Sequence, residues 1–267
     1  MKVIELLLGR VLIVSADARA LGGRDRRRSL EVLSAGDRER LGTMSDARAD
    51  GRADAFLTGR LLVQLGLDRL AGDHLEGGEH GLAPVPALEA VCSHCGSTSH
   101  GKLSIPGLPV LVSIAYAGSA VFVALASADD VGALGIDAEA LRSHGDSAPA
   151  LPDRALSEPD QDPSPPAPSR DAFDPAHDLE RWTAVEAVLK ADGRGLRVDP
   201  SFVRLASGEG RADREEHARI SGDDASYRIH RSVVDRRFLV AVATRKPDRG
   251  KSLASEPANE EAGSPSL

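Results

Sequence analysis

Aromatic side chains are scarce in this sequence of 267 residues, since phenylalanine, tryptophan and tyrosine together make up 3% of it. The core must therefore rest on leucine, valine, isoleucine and alanine, and a hydrophobic fraction of 41% is enough for a folded protein. Two cysteines do not make a disulfide framework, which favours a reducing, cytoplasmic setting. At this length we expect one large domain or two small ones.

Positive charge is also in short supply. The chain has 33 lysines and arginines against 41 aspartates and glutamates, which gives a formal net charge of −8. A general nucleic-acid binder needs a basic surface, so the composition excludes that class. No stretch is long and apolar enough to span a bilayer, so we also expect no membrane insertion.

The N-terminus has some features of a secretory signal: Lys2, then an apolar run, then an Ala-x-Ala sequence that ends at Ala18. However, Glu5 and Arg10 interrupt the run, and the apolar region of a signal avoids charge. The pattern therefore favours a first β-strand or a β-hairpin over a signal.

The rest of the chain divides by its hydrophobic spacing and its turn residues. We expect a helix in the second half of 41–70, a polar turn at 22–28, an irregular connection at 72–90, a β-hairpin at 110–127, a Pro-rich loop near 143–175, short antiparallel strands at 202–205, 227–229 and 238–243, and a disordered tail at 246–267.

One predicted helix, over 178–192, carries an unusual polar pair. Gly193 ends it in the position that favours glycine. A glutamate lies within its mostly apolar face, and Lys190 follows that glutamate by one turn. The plain alternative is a solvated Glu–Lys pair, worth about 0.2–0.5 kcal/mol. The predicted face consists of Leu179, Trp182, Glu186 and Leu189.

A second polar feature lies in the predicted strand over 131–141. A period of two places Asp137 and Glu139 on the same face, where their charges repel each other. A cation would allow both to stay ionised, and hard oxygen ligands on a rigid element suit Mg²⁺. The alternative is a solvent-facing strand end that carries two unrelated acids.

The segment 92–102 contains Cys92 and Cys95 in a C-x-x-C arrangement with histidines nearby. Such a segment indicates either a structural zinc site or a turn with free thiols, and a second cysteine pair is missing. Lys102, which follows Gly101, is either a phosphate contact or an ordinary surface lysine.

Taken together, two of these stretches resemble the signatures of the Sfp-type 4′-phosphopantetheinyl transferases. Residues 135–139, Gly-Ile-Asp-Ala-Glu, resemble G-[IV]-D-x-E, and residues 182–190 resemble W-x-x-K-E-[AS]-x-x-K. Further segments follow the family's order at 56–60, at 92–102, which is typical of actinobacterial members, and at 113–118. The resemblance covers roughly residues 1–245.

The resemblance implies an α+β fold: a pseudo-dimer of two similar halves, each a small antiparallel sheet packed on a long helix. The halves would be 1–128 and 129–245, the second with the Pro-rich insertion, followed by the tail at 246–267. Such a fold implies a monomer.

It also implies an enzyme of the holo-[acyl-carrier-protein] synthase type. The enzyme would transfer 4′-phosphopantetheine from coenzyme A to a serine of an apo acyl or peptidyl carrier protein of polyketide, nonribosomal peptide or fatty-acid synthesis. The reaction depends on Mg²⁺ and releases adenosine 3′,5′-bisphosphate. Carried over by position, Asp137, Glu139 and Glu186 would hold the metal, Glu186 and Lys190 would be catalytic, and Arg52, Arg60, Lys102, Tyr116 and Lys190 would contact the coenzyme.

Four departures from the family pattern motivate an alternative, a diverged non-catalytic relative that binds coenzyme A or a carrier. Tyr116 stands where the family has histidine, Val185 where it has lysine, Leu103 where it often has proline, and Ala55 where it often has arginine. A zinc-dependent binding module is a third reading. An acidic carrier would need a basic patch, for which the candidates are the run 24–28 and Arg231, Arg236 and Arg237.

Overall fold

A computed structural model describes residues 1–44, 51–74, 88–92, 94–97, 101–141, 175–207 and 216–247, without the side chains of 73, 74, 175–178 and 207. Within these ranges the chain forms two antiparallel sheets and four α-helices. The predicted α+β class is therefore confirmed. The predicted Pro-rich loop and disordered tail lie almost wholly outside the described residues.

The first sheet has six strands in the order β1-β2-β6-β5-β4-β3. Its first two strands form the predicted N-terminal hairpin, which turns at Gly9 with φ +61°. Glu5 and Arg10, the charges that interrupt the apolar run, are both exposed. The strands are β1 Val3–Leu8, β2 Val11–Asp17, β3 Glu89–Val91, β4 Lys102–Ser104, β5 Val110–Ala117 and β6 Ala120–Ser127.

The second sheet has five strands in the order β7-β11-β10-β9-β8. Sequence periodicity missed β9, because only Ala218 and Ile220 of that strand are buried and polar residues surround them. The strands are β7 Ala133–Ala140, β8 Val203–Ser207, β9 Glu216–Ile220, β10 Ser226–Val234 and β11 Phe238–Arg245.

Four helices accompany the sheets: α1 Gly23–Glu31, α2 Ala35–Thr43, α3 Arg52–His74 and α4 Pro175–Asp192. The predicted turn at 22–28 was wrong, since these residues open α1. The arginines of this segment leave it without an apolar pattern, because α1 buries few residues. Ser29 is fully buried and donates to the Asp25 carbonyl, and Leu30 packs against a small cluster around Phe56.

The two sheets pack face to face through a core of alternating strand residues. Ile13, Phe122 and Ala124 of the first sheet meet Ile136 and Val240 of the second. Helix α3 packs on the outer face of the first sheet, and α4 packs on the outer face of the second. The order of layers is thus helix, sheet, sheet, helix. No helix in the described ranges is long and apolar enough to cross a membrane.

Candidate functional site

Helix α4 lies unusually close to strand β7, and Gly135 is the residue that permits it. A Cβ at Gly135 would lie 2.1 Å from the Ala187 carbonyl oxygen and 2.4 Å from the Ala191 nitrogen. Only a glycine leaves space for the helix backbone at this crossing. The strand face that carries Gly135 continues to Asp137 and Glu139, so both acids face α4.

Opposite these two acids, α4 presents Glu186 and Lys190, one turn apart. Lys190 Nζ donates to Asp137 Oδ1 at 2.6 Å and lies 3.9 Å from Glu186 Oε2. The Asp137 side chain is only 7% exposed, whereas the Lys190 side chain is 32% exposed. We call Asp137, Glu139, Glu186 and Lys190 the acid–lysine cluster.

Charge is crowded in this cluster. Burial raises the pKa of Asp137, although the Lys190 ammonium opposes that shift. Burial, and then the Asp137 charge, raise the pKa values of Glu186 and Glu139. The interaction between the Asp137 and Glu186 carboxyls raises the pKa of Glu186 further and lowers that of Asp137.

The donor types of the cluster suit a hard cation, although the present spacing of its carboxylates does not enclose one. Asp137 Oδ2 is buried and has no hydrogen-bond partner, so one ligand oxygen is unsatisfied. The Asp137 charge raises the pKa values of Glu139 and Glu186, and a divalent ion would relieve this repulsion. In the described part of the chain, no three His, Cys, Asp or Glu residues lie close enough together to enclose a metal, and Lys190 is the cation that balances Asp137.

The predicted apolar face of α4 was partly wrong. Trp182 is 37% exposed, while Leu189 is buried as expected. The predicted face was based on the large residues and left out the alanines, whose small side chains let α4 approach the sheet. Val185, which stands where the family has lysine, is buried in the core beneath α4. The buried face consists of Ala184, Val185, Ala187, Val188 and Ala191.

Lys102 lies at the C-terminal end of α4 and not on an open surface. Its Nζ donates to the carbonyls of Leu134 at 3.0 Å, Lys190 at 2.8 Å and Ala191 at 2.9 Å. Burial lowers the pKa of Lys102 to about 8. An ammonium has three hydrogens, and these carbonyls occupy all of them. Lys102 therefore joins β4 to α4 and β7, and its predicted coenzyme contact would have to replace these bonds.

A cavity of about 870 Å³ opens beside α3 and β5, within the range of small-molecule sites. Three of the residues predicted to contact the coenzyme line it: Arg52, Arg60 and Tyr116. Arg19 and Arg40, which the sequence analysis did not select, line it as well. The cavity wall is therefore rich in guanidinium groups. The lining does not include Lys102 or Lys190.

Arg60 is a framework residue of this cavity. It is buried and makes a two-pronged ion pair with Asp37, with Nε–Oδ2 at 2.9 Å and Nη2–Oδ1 at 2.6 Å. Its guanidinium also lies 4.2 Å from the centre of the Phe56 ring. Asp37 was missed because α2 was not predicted; the Ser34 side chain that accepts from Asp37 N was the available signal.

Tyr116 lies with its ring half exposed and its hydroxyl against α3. A Cβ on Gly59 would come within 3.2 Å of that hydroxyl, so Gly59 makes room for it. Burial of the hydroxyl end raises the pKa of Tyr116. Tyr116 is therefore a neutral hydrogen-bonding group at neutral pH, as expected from its replacement of histidine.

Neither cysteine is in a disulfide: Cys92 is buried and Cys95 is exposed. His94 is exposed, and His100 lies outside the described residues.

Comparison with protein families yields a match at residues 133–243 to the family described as the 4′-phosphopantetheinyl transferase superfamily. This stretch runs from β7 to β11 and contains the whole acid–lysine cluster. A search of curated proteins found no match for the chain.

Proposed function

We propose that this protein modifies carrier proteins, because residues 133–243 match the family described as the 4′-phosphopantetheinyl transferase superfamily. It moves 4′-phosphopantetheine from coenzyme A to a serine hydroxyl of an apo acyl or peptidyl carrier and releases adenosine 3′,5′-bisphosphate. The observation that carries the proposal is the acid–lysine cluster, which lies inside the matched stretch between β7 and α4.

In this proposal, Asp137, Glu139 and Glu186 are the residues that would hold Mg²⁺. When bound, the ion supplies positive charge against the pyrophosphate of the coenzyme. The unpartnered Asp137 Oδ2 supports a metal role for that residue. Asp137 would release the Lys190 ammonium in the loaded state, which frees Lys190 to pair with a phosphate oxygen.

Glu186 takes the proton of the attacking serine, directly or through a water that it holds. A carboxylate acts as a general base when it lies within hydrogen-bonding reach of the hydroxyl, directly or through one water. Glu186 is also one-quarter exposed, so an incoming hydroxyl has access to it.

Coenzyme A occupies the cavity beside α3, where its phosphates meet the guanidinium groups of Arg52 and the neighbouring arginines. Arg60 acts there mainly by holding Asp37 and α2 in place. Tyr116 gives a neutral hydrogen bond where the family pattern has histidine.

The two sheet–helix units are proposed as the halves of the family's pseudo-dimer, 1–128 and 129–245, in a monomeric, cytoplasmic enzyme. Arg231 is a poor candidate for the carrier-binding patch, because its guanidinium already pairs with Glu180 at 3.2 Å and with Glu216 at 2.7 Å. In the run 24–28, Arg26 pairs with Asp54 and Arg28 with Asp68. Arg24 and Arg27 of that run, which are exposed, and Arg236 and Arg237 remain the candidates for contact with an acidic carrier.

The test is to incubate the protein with coenzyme A, Mg²⁺ and several apo carriers, and to record intact masses. A carrier that gains one phosphopantetheine, and does not gain it when EDTA is present, supports the transferase. Coenzyme binding measured by calorimetry, without a mass gain on any carrier, supports the non-catalytic alternative. The buried Val185 and the neutral Tyr116 are the observations that favour that alternative.

A further inference from the structure

We propose that Cys92 and Cys95 form a reversible intramolecular disulfide when they meet low-molecular-weight disulfides, which makes this turn a site of thiol oxidation. The proposal does not rest on the transferase function. Neither cysteine belongs to the acid–lysine cluster or lines the cavity.

The turn holds the two sulfurs near each other. Gly96 N donates to the Cys92 carbonyl at 2.9 Å, and Cys92 N donates to the Ser97 carbonyl at 2.9 Å. Gly96, with φ +69°, permits this tight return of the chain. Cysteines three apart in such a turn reach the Cα separation of a disulfide, about 5.5–6 Å. The Cys95 thiol also hydrogen-bonds to the Cys92 sulfur, so the sulfurs are already in contact.

The surroundings of Cys92 favour its thiolate form. Arg197 Nη1 lies 2.9 Å from its sulfur. Backbone N–H groups of Cys95 and His94 also donate to it, and these bonds, more than Arg197, lower the pKa of Cys92 to about 6. A thiolate held by a guanidinium and by amide groups is the form that attacks disulfides.

The exposed Cys95 reacts first with the reagent, and the buried Cys92 then closes the internal disulfide. The Cys95 thiolate attacks a small disulfide, breaks its S–S bond, forms a mixed disulfide and expels one thiol. The Cys92 thiolate then attacks the Cys95 sulfur, forms the internal disulfide and expels the second thiol. Two protein thiols are oxidised, one reagent disulfide is reduced to two thiols, and the protons leave with those thiols.

Oxidation would also break a contact between the two sheet–helix units. Cys92 follows β3 of the first sheet, whereas Arg197 lies just after α4. A disulfide sulfur carries no negative charge, so Arg197 loses its charged acceptor. Lys102, which bonds the last carbonyls of α4, is the second link at this place.

A zinc site is the competing use of the same cysteines. It needs further ligands, and in the described ranges no third His, Cys, Asp or Glu completes a group with them. Metal content therefore belongs to the test.

The experiment treats the full-length protein with hydroxyethyl disulfide and follows intact mass and free thiols over time. Because the chain has only two cysteines, the assignment is unambiguous. We expect the loss of both thiols without added reagent mass, and full reversal by dithiothreitol. The Cys92→Ser variant should stop at a mixed disulfide on Cys95, since the second attacking sulfur is missing.

Arg197→Met separates a chemical role from a structural one. The pKa of Cys92 should rise in this variant. At about pH 6, one unit of increase lowers the thiolate fraction about fivefold, and the greater nucleophilicity of the more basic thiolate offsets part of this loss, so ring closure should slow about twofold. A lasting mixed disulfide on the wild-type protein, unreactive thiols, or one bound zinc per chain in the purified protein would each overturn the proposal. None of these outcomes would affect the transferase proposal.

Discussion

Replacing Gly135 by alanine tests the crossing of β7 and α4 on which the site depends. The new methyl group would lie 2.1 Å from the Ala187 oxygen, against an ordinary contact of at least 3.4 Å, so α4 must withdraw by about 1.3 Å. The atoms it meets belong to the backbone and cannot turn aside. Such overpacking costs about 3 kcal/mol, the upper end of its usual range. We expect Tm to fall by roughly 6–12 °C.

The same withdrawal would separate the two sides of the acid–lysine cluster. The Lys190–Asp137 contact, now 2.6 Å, would stretch beyond hydrogen-bonding range. A misplacement of about 1 Å lowers the rate of a positioned reaction about a hundredfold. Carrier modification by Gly135→Ala should therefore fall by about this factor at a temperature where the variant is still folded.

Thermal unfolding followed by circular dichroism, with Gly36→Ala as control, is the assay. A Cβ at Gly36 meets nothing within 4 Å, and Gly36 lies in α2, so its replacement should be neutral or stabilise by up to about 1 kcal/mol. If Gly135→Ala melts with the wild type while Gly36→Ala behaves as expected, α4 does not rest on Gly135 and the account of the cluster fails.

Three further predictions concern charged groups. Lys102→Met should lower the free energy of unfolding by about 2–3 kcal/mol in urea titrations, because three buried carbonyls lose their donor; an unchanged midpoint would contradict the capping role. Arg60→Met should cost about 3–5 kcal/mol, and the double variant Arg60→Met/Asp37→Leu should recover part of it; equal losses would rule out an uncompensated buried charge as the cause. The pKa of Glu186 is higher in the folded than in the unfolded protein, so its contribution to stability is present at low pH and is lost as the pH rises through the folded pKa. Glu186→Gln, which cannot ionise, should therefore raise Tm at about pH 8 and leave Tm unchanged at about pH 4. An equal change in Tm at both pH values would count against this.

The sequence predicted well wherever a local pattern determines local structure. The hairpin at 110–127 coincides with β5 and β6, because two mostly apolar runs flank a glycine turn at Gly118. Gly193, with φ +90°, ends α4 as expected and donates to Leu189 O. Asp137 and Glu139 share a face of β7, since a strand has a fixed period of two.

The remainder depended on contacts between distant residues. The predicted apolar face of α4 included Trp182. In the structure alanines make up much of the buried face, because Gly135 leaves space for the helix backbone to lie close to β7. From the sequence, Lys102 is either a phosphate contact or an ordinary surface lysine, and only the tertiary fold brings carbonyls 32 and 88 residues away to its ammonium. The partnership of Arg60 with Asp37 likewise joins two helices, one of them unpredicted.

The most direct measurement of the central claim compares Asp137→Ala with Glu180→Gln in the carrier-mass assay. Asp137 lies in the cluster, whereas Glu180 is an exposed acid on the same helix as Glu186. The account predicts that Asp137→Ala stays folded and adds no phosphopantetheine to a carrier that the wild type modifies with Mg²⁺, while Glu180→Gln keeps the wild-type rate. Carrier modification by Asp137→Ala at the wild-type rate would contradict it.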